Sequence, residues 1–221
     1  MDVEFTLNGK ELAGKEVVVF EKLYLGSELI TSHEDIEDEY QTVKFKEPEI
    51  DTTATDKEDG DHEVYPEEEV TIVDRVDYKG LIPGKEYVLK GKLMDKATGR
   101  PLLIKGEEVT KEVKFTPISE NGYVEIEFVI DARELIGKEI VVFEDLYRDD
   151  KEVVVHNDID DEDQTIKVVE PEIGTSATDK ETGTKEPSPE EEVTIVDTVT
   201  YKNLTPGKEY TIKGTLMNKE T

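Results

Sequence analysis

Five polar side chains occupy positions where the alternation of apolar and polar residues calls for a core side chain. Asp74 falls between Ile72 and Val76, and Glu144 shares a face with Ile140, Val142 and Leu146. Thr52 keeps company with Ile50 and Ala54, and Gln164 with Ile166 and Val168. His156 stands eight residues before that glutamine. A buried carboxylate costs several kcal/mol unless it is paired or holds its proton through a raised pKa. Any one of these residues also reads as a hydrogen-bonded core group, a turn cap or an edge residue, because structural networks perturb pKa values too. A hydroxyl, a primary amide, a histidine and two carboxyls together inside one small domain read instead as a reaction site.

All five recur. Glu21, His33 and Gln41 repeat Glu144, His156 and Gln164, and Thr175 and Asp197 repeat Thr52 and Asp74. They belong to a long internal repeat: KEVVVFEKLY (15–24) returns as KEIVVFEDLY (138–147), and TTATDKEDG (52–60) as TSATDKETG (175–183). EEEVTIVDRVDYKGLIPGKEYVLKGKLMDKAT (67–98) returns at 190–221, and each pair is offset by 123 positions without a gap. The frame divides the chain into the back part of one unit (1–47), a complete unit (48–169) and the front part of a third (170–221). The remaining histidine, His62, corresponds to Lys185 and reads as a solvated loop residue.

The elements that must position these groups are strands. Residues 70–78 alternate strictly, and further strand patterns run over 86–94, 112–116, 122–130, 139–147, 152–155 and 164–168. Pro83-Gly84 and Gly99-Arg100-Pro101 mark turns. Only Asp131 to Ile136 suggests a short helical turn. Several short strands within one repeat of this length, separated by Gly and Pro turns, predict an all-β, immunoglobulin-like β-sandwich.

Composition narrows the function. The 221 residues include 56 Asp and Glu against 27 Lys and Arg, a formal net charge of −29. Such a chain repels nucleic acid and anionic membranes, so neither is an expected partner. The regular alternation argues against disorder despite the charge. Cysteine is absent, so a staple must use other chemistry. No run approaches the roughly 18–20 apolar residues of a membrane span. The start, MDVEFTLNGKEL, has neither the basic nor the apolar region of a signal peptide, and no sorting signal closes the chain. With the repeat frame, these features read as an internal piece of a longer extracellular array.

The strings T-x-A-T-D-K (52–57), I-V-D-x-V (72–76), V-V-F-E-x-L-Y (141–147) and H-x-D-I-x-D-x-x-Q-T (156–165) resemble the VaFE-type repeats of Gram-positive surface adhesins. The resemblance implies an immunoglobulin-like domain with an intramolecular Thr–Gln ester bond. Carried onto this sequence, Thr52 is the nucleophile, Gln164 the acceptor amide and His156 the base. Asp74 and Glu144 become the carboxyl pair, at least one of them protonated, that polarises the amide and stabilises the oxyanion. Thr53 and Thr55 are expected on the outward face. The reaction occurs once per domain, so no turnover enzyme and no cofactor is expected. What is expected is a structural stalk repeat at the cell wall, resilient to force and proteolysis, with neighbouring repeats as partners and any host ligand held by another domain.

Other readings stand beside this one. The acidic string 158–163 invites calcium, but it lacks the sixth-position glycine and twelfth-position glutamate of a calcium loop of the EF-hand type, so a solvated acidic turn is preferred and no metal site is assigned. A Lys–Asn isopeptide would need a repeated Lys and Asn on apolar faces, and neither Asn121 nor Asn157 has that setting. A ligand-binding adhesin module without a cross-link is the alternative function. The two incomplete ends together hold all five groups, which predicts docking of one on the other, within a chain or head to tail between chains.

Overall fold

The structure, a computed structural model, describes residues 1–219. The complete repeat is built around eight main strands: β1 (Glu49–Asp56), β2 (Val70–Lys79), β3 (Tyr87–Asp95), β4 (Thr110–Phe115), β5 (Gly122–Ile130), β6 (Glu139–Arg148), β7 (Lys151–His156) and β8 (Thr165–Val168). One antiparallel sheet has the order β5–β2–β1 and the other the order β4–β3–β6–β8. Glu63–Val64 adds a short parallel strand beside β8, and Arg100–Pro101 pairs with the end of β3. Along β2 every second residue from Val70 to Tyr78 is buried, as its alternation requires. The inward faces of both sheets, including Ile72, Leu89, Leu93, Ile126 and Ile140, pack into one core. An immunoglobulin-like β-sandwich results.

Two local features set the spacing of the sheets and the register of the site. Gly91 on β3 faces Phe128 of β5 so closely that an added Cβ would lie 2.6 Å from the ring. Glycine there lets the phenyl ring fill the space between the layers. The β6–β7 hairpin turns through Asp149 and Asp150, both with positive φ (53° and 58°), the backbone of a tight two-residue turn whose twist matches the strands. The turn sets Arg148 opposite Lys151, and a bulge between Leu146 and Tyr147 then shifts the register by one residue, which places Glu144 opposite His156.

Three sequence expectations need correction or completion. Residues 131–136 form successive tight turns, with Leu135 N–H donating to Ala132 O (3.0 Å) and Lys138 N–H to Leu135 O (2.9 Å). The Ala132 N–H is taken by Glu67 O at 2.9 Å, which fastens these turns to the loop before β2. His62 is in a loop as expected but half-buried rather than fully solvated, since its carbonyl accepts the Lys167 N–H at 2.8 Å and draws the loop onto β8. A 3-10 turn at Gly9–Leu12 had no sequence signal that the strand reading used.

The terminal segments repeat parts of this architecture. In the first, Glu16–Val18 pairs with Thr42–Lys44 and Glu21–Leu25 with Glu28–His33. In the last, Glu172–Asp179 pairs with Ile195–Lys202. Residues 210–218 correspond to β3 but form no strand, since the counterparts of β4 and β6 that would pair with them are not beside them. The first segment meets the complete repeat at the Lys79 end of β2, through a Lys46–Glu120 ion pair. The last segment meets the Val70 end, where Lys208 pairs with Glu67 at 3.0 Å.

Candidate functional site

The β1–β2 register, Thr52 opposite Val76 and Ala54 opposite Asp74, makes Thr52 and Asp74 diagonal neighbours on the inward face. Opposite them runs β6, which changes partner midway: residues 139–141 pair with β8, and residues 144–148 with β7. Glu144 stands at the first β7 pair, with His156 on one side and Gly91 on the other. Gln164 enters at the break, where its carbonyl accepts the Val142 N–H at 3.1 Å. One residue earlier, Asp163 O accepts the Ala54 N–H at 2.9 Å, which ties the β1 edge of the first sheet to the second. Thr52, Asp74, Glu144 and Gln164 therefore converge where a backbone hydrogen bond closes the sandwich.

All four are buried: Thr52 is 3% exposed, and Asp74, Glu144 and Gln164 are at 0%. The Gln164 amide donates from Nε2 to Asp74 Oδ1 at 3.2 Å. Thr52 Oγ1, Gln164 Oε1, Asp74 Oδ2 and both Glu144 oxygens are buried without a partner of good hydrogen-bond geometry. Each such atom costs about 1–3 kcal/mol, and native interiors hold few of them. Their concentration in one place marks groups arranged to act on one another. Burial lifts the Glu144 carboxyl well above its ordinary range, and the neighbouring Asp74 carboxyl adds to the lift, against a smaller opposing effect of the Thr52 hydroxyl. Burial also raises Asp74, opposed by its contacts with Glu144 and Gln164 and by the nearby His156. Burial therefore opposes full ionisation of the pair.

His156 lies at the margin of this group, half-buried, with Nε2 2.7 Å from Asp161 Oδ2. Asp161 is the functional candidate that the sequence reading missed among the acidic residues of 158–163. The available signal was its repetition: Asp38 stands at the same distance from His33, and the two are also 2.7 Å apart. The rest of the acidic string builds the loop. Asp158 accepts the Asp160 N–H at 3.0 Å, and Asp161 accepts the Asp163 N–H at 2.9 Å, both Asx turns. Among the described residues, no group of three or more His, Asp or Glu is placed to hold a metal ion.

The terminal segments carry the same residues without the convergence. Glu21 is opposite His33, and Val19 N–H donates to Gln41 O at 3.1 Å, as in the complete repeat. Ala177 is opposite Asp197, as Ala54 is opposite Asp74. Thr175 and Asp197 are nonetheless exposed, as is His33, while Glu21 and Gln41 are half-buried. Thr53 is exposed on the outer face of β1, and Thr55 is half-buried there.

The family model of the T-Q ester bond containing domain matches this chain three times, over residues 1–45, 48–168 and 171–221. Among solved structures, the chain is similar to a bacterial adhesin from Mobiluncus mulieris containing intramolecular disulfide, isopeptide and ester bond cross-links. Identity is 17% over 71% of this chain and 76% of that one, with a TM-score of 0.49. A second crystal form of that adhesin gives 14% identity over 71% and 77%, at 0.46. A glycosyl hydrolase family 2 member from Bacteroides cellulosilyticus matches at 16% identity, over 60% of this chain and 16% of its own, with a TM-score of 0.38. No curated protein matches.

Proposed function

We infer the function from the premise that the chain belongs to the T-Q ester bond containing domain family. Its complete repeat joins Thr52 to Gln164 through a self-formed ester. The observation that carries this reading is the burial of the Thr52 hydroxyl and the Gln164 carbonyl oxygen, both unpartnered, beside a carboxyl pair whose ionisation burial opposes. Thr52 Oγ attacks Gln164 Cδ, and His156 takes the hydroxyl proton. Donation of its Nε2–H to Asp161 keeps the lone pair on Nδ1, so Nδ1 is the accepting nitrogen. The protonated member of the Asp74–Glu144 pair donates to Gln164 Oε1 as negative charge builds there. The C–N bond then breaks, the proton held by His156 passes to the leaving nitrogen, and ammonia departs. The ester survives because the core excludes water.

This is one reaction per domain, not turnover. Thr52 is on the first strand of the sandwich and Gln164 immediately precedes the last, so tension entering at one end leaves along the bond and bypasses the ladders. Closing a loop of this size stabilises by about 4–5 kcal/mol in the chain-entropy treatment used for disulfides. We assign the chain a structural role in the stalk of a cell-wall surface adhesin, where the cross-link resists force and proteolysis. The cysteine-free composition and the strong negative charge support an exposed location.

Intact mass tests the reading. The expected result is a chain lighter than its sequence by the mass of one ammonia per closed site, with the full mass of that site restored by Thr52→Ala. Absence of any loss in the wild type would sink the cross-link and leave the ligand-binding module as the function.

A further inference from the structure

We propose that Thr165 is a positioning residue for ester formation: its side chain clasps the loop that carries Asp161 and Gln164, and so fixes the acceptor amide relative to His156. The proposal rests on the reading of the Thr52–Gln164 site. A glutamine side chain turns about several single bonds, so burial alone does not aim its amide at a hydroxyl, and its backbone must be held first. Two restraints join it to the sheets: the Ala54 N–H donates to Asp163 O at 2.9 Å, and the Val142 N–H to Gln164 O at 3.1 Å. Neither of them involves the base. His156 stands at the end of β7, where it meets Asp161 at 2.7 Å.

Thr165 connects the two. Its Oγ1 donates to Asp161 O at 2.6 Å, and its N–H donates to Glu162 O at 3.1 Å. These bonds close residues 161–165 into one turn, with the partner of the base at its start and the acceptor glutamine inside it. The hydroxyl also accepts: Lys96 Nζ lies 3.2 Å from Thr165 Oγ1 and 3.5 Å from Glu162 Oε1. The donor and the acceptor capacity of the hydroxyl are both used, and the bond from the ammonium is charge-assisted. Lys96 is itself well held, since its side chain is only 17% exposed and its N–H donates to Glu139 O, at the start of β6, at 3.1 Å.

The residue type suits both tasks. Thr165 opens β8 opposite Val141 of β6 and is 7% exposed. A β-branched side chain packs well in a strand and has a stiff χ1, which keeps the hydroxyl turned to the loop. Valine would fill the same space without the clasp, and serine would keep the clasp without the methyl group. The arrangement is repeated in the first segment. Thr42 follows Gln41 and donates from Oγ1 to Asp38 O at 2.8 Å, and Asp38 is the partner of His33. Histidine, aspartate, glutamine and threonine thus recur as one bonded unit.

The test follows the ammonia loss of the full chain by intact mass from the moment of refolding. Thr165→Val should slow it by about tenfold to a hundredfold, the upper figure being the cost of a misplacement of about 1 Å, and should still reach the wild-type extent. Thr165→Ser should react at close to the wild-type rate. Added to Asp161→Asn, Thr165→Val should slow the reaction by a smaller factor than it does alone, because both substitutions act on the setting of His156. If the valine variant does not refold, Thr165→Ala against Thr165→Ser decides the same point, since the two differ only in the hydroxyl. Closure of the valine variant, or of the alanine variant, at the rate of its hydroxyl-bearing counterpart overturns the proposal and leaves the cross-link standing. A serine variant as slow as valine also overturns it, by assigning the effect to the methyl group. Full additivity with Asp161→Asn overturns it too, because Thr165 would then act independently of the base. Absence of ammonia loss from the wild type overturns the cross-link and the proposal together.

Discussion

The complete repeat and the terminal segments share sequence and local geometry but differ in environment. In both, the histidine meets its aspartate at 2.7 Å, and the residue before the strand-pairing break accepts the same backbone hydrogen bond at 3.1 Å. Hairpin and loop are therefore local products of the sequence. Burial is not: Thr52 is 3% exposed and Thr175 lies in the open. A hydroxyl and an amide in water do not condense, and a carboxyl in water does not hold its proton at neutral pH. Both require two sheets to face each other, so the reactive state belongs to the tertiary structure. The accessible surface shows the same contrast: 16350 Å² for the chain, against about 10,000 Å² for a compact 25 kDa protein.

The largest expected effect of breaking this contrast comes from Thr52→Ala. It removes the cross-link and should lower unfolding stability by about 4–5 kcal/mol, read as a fall in the denaturant midpoint with a steeper slope, because the unlinked denatured chain exposes more surface. Thr175→Ala in dilute, monomeric protein should stay within about 0.5 kcal/mol, as exposed substitutions do. Equal effects from the two would mean that the hydroxyl stabilises locally and that no bond forms at Thr52.

Acidity sharpens the same contrast with a smaller effect. In a Thr52→Ala chain, the buried Asp74–Glu144 pair keeps a proton that the unfolded chain releases. Its folded pKa values are raised above the ordinary 3.8 and 4.5, so the native state binds more protons above that range. Stability from the pair is full below about pH 4 and declines as pH rises toward the folded values, by about 1.4 kcal/mol per unit of upward shift. Adding Glu144→Gln to Thr52→Ala should flatten the decline between pH 5 and pH 8, as read from denaturant midpoints. An unchanged slope would place its origin in the −29 net charge and not in the pair.

Much of the fold was legible because two-residue alternation records which face is buried. The strand over 70–78 and the inward placement of Thr52, Asp74, Glu144 and Gln164 followed from it. What alternation could not reveal is which strands adjoin. The switch of β6 from β8 to β7, and the stitch from Ala54 to Asp163, are long-range pairings with no local signature. The segment 131–136 looked helical because Ala132, Glu134 and Leu135 favour helix, and it closes single turns, from Leu135 N–H to Ala132 O and from Lys138 N–H to Leu135 O, without extending into a helix. His62 misled because its half-burial depends on β8, which is distant in sequence. Asp161 was hidden by its neighbours, since within a run of acids only the contact with His156 distinguishes it.

That contact supports the smallest and most specific expectation. Asp161→Asn keeps an oxygen for the Asp163 N–H and leaves the Asp161 carbonyl bond to Thr165 (2.6 Å) in place, so the loop should hold. It removes the negative charge that fixes the His156 tautomer and steadies the imidazolium formed as the hydroxyl proton moves. Ester formation, followed by intact mass from the moment of refolding, should slow by about a hundredfold, the lower end of what a positioned base contributes. The final extent of linkage and the unfolding midpoint of the linked protein should not change. If the rate is unaltered, Asp161 serves only the loop, and its repetition as Asp38 reflects the turn that both histidines share. If rate and final stability fall together, the substitution has disturbed packing around Gln164, which Gln164→Ala in the same assay would mimic.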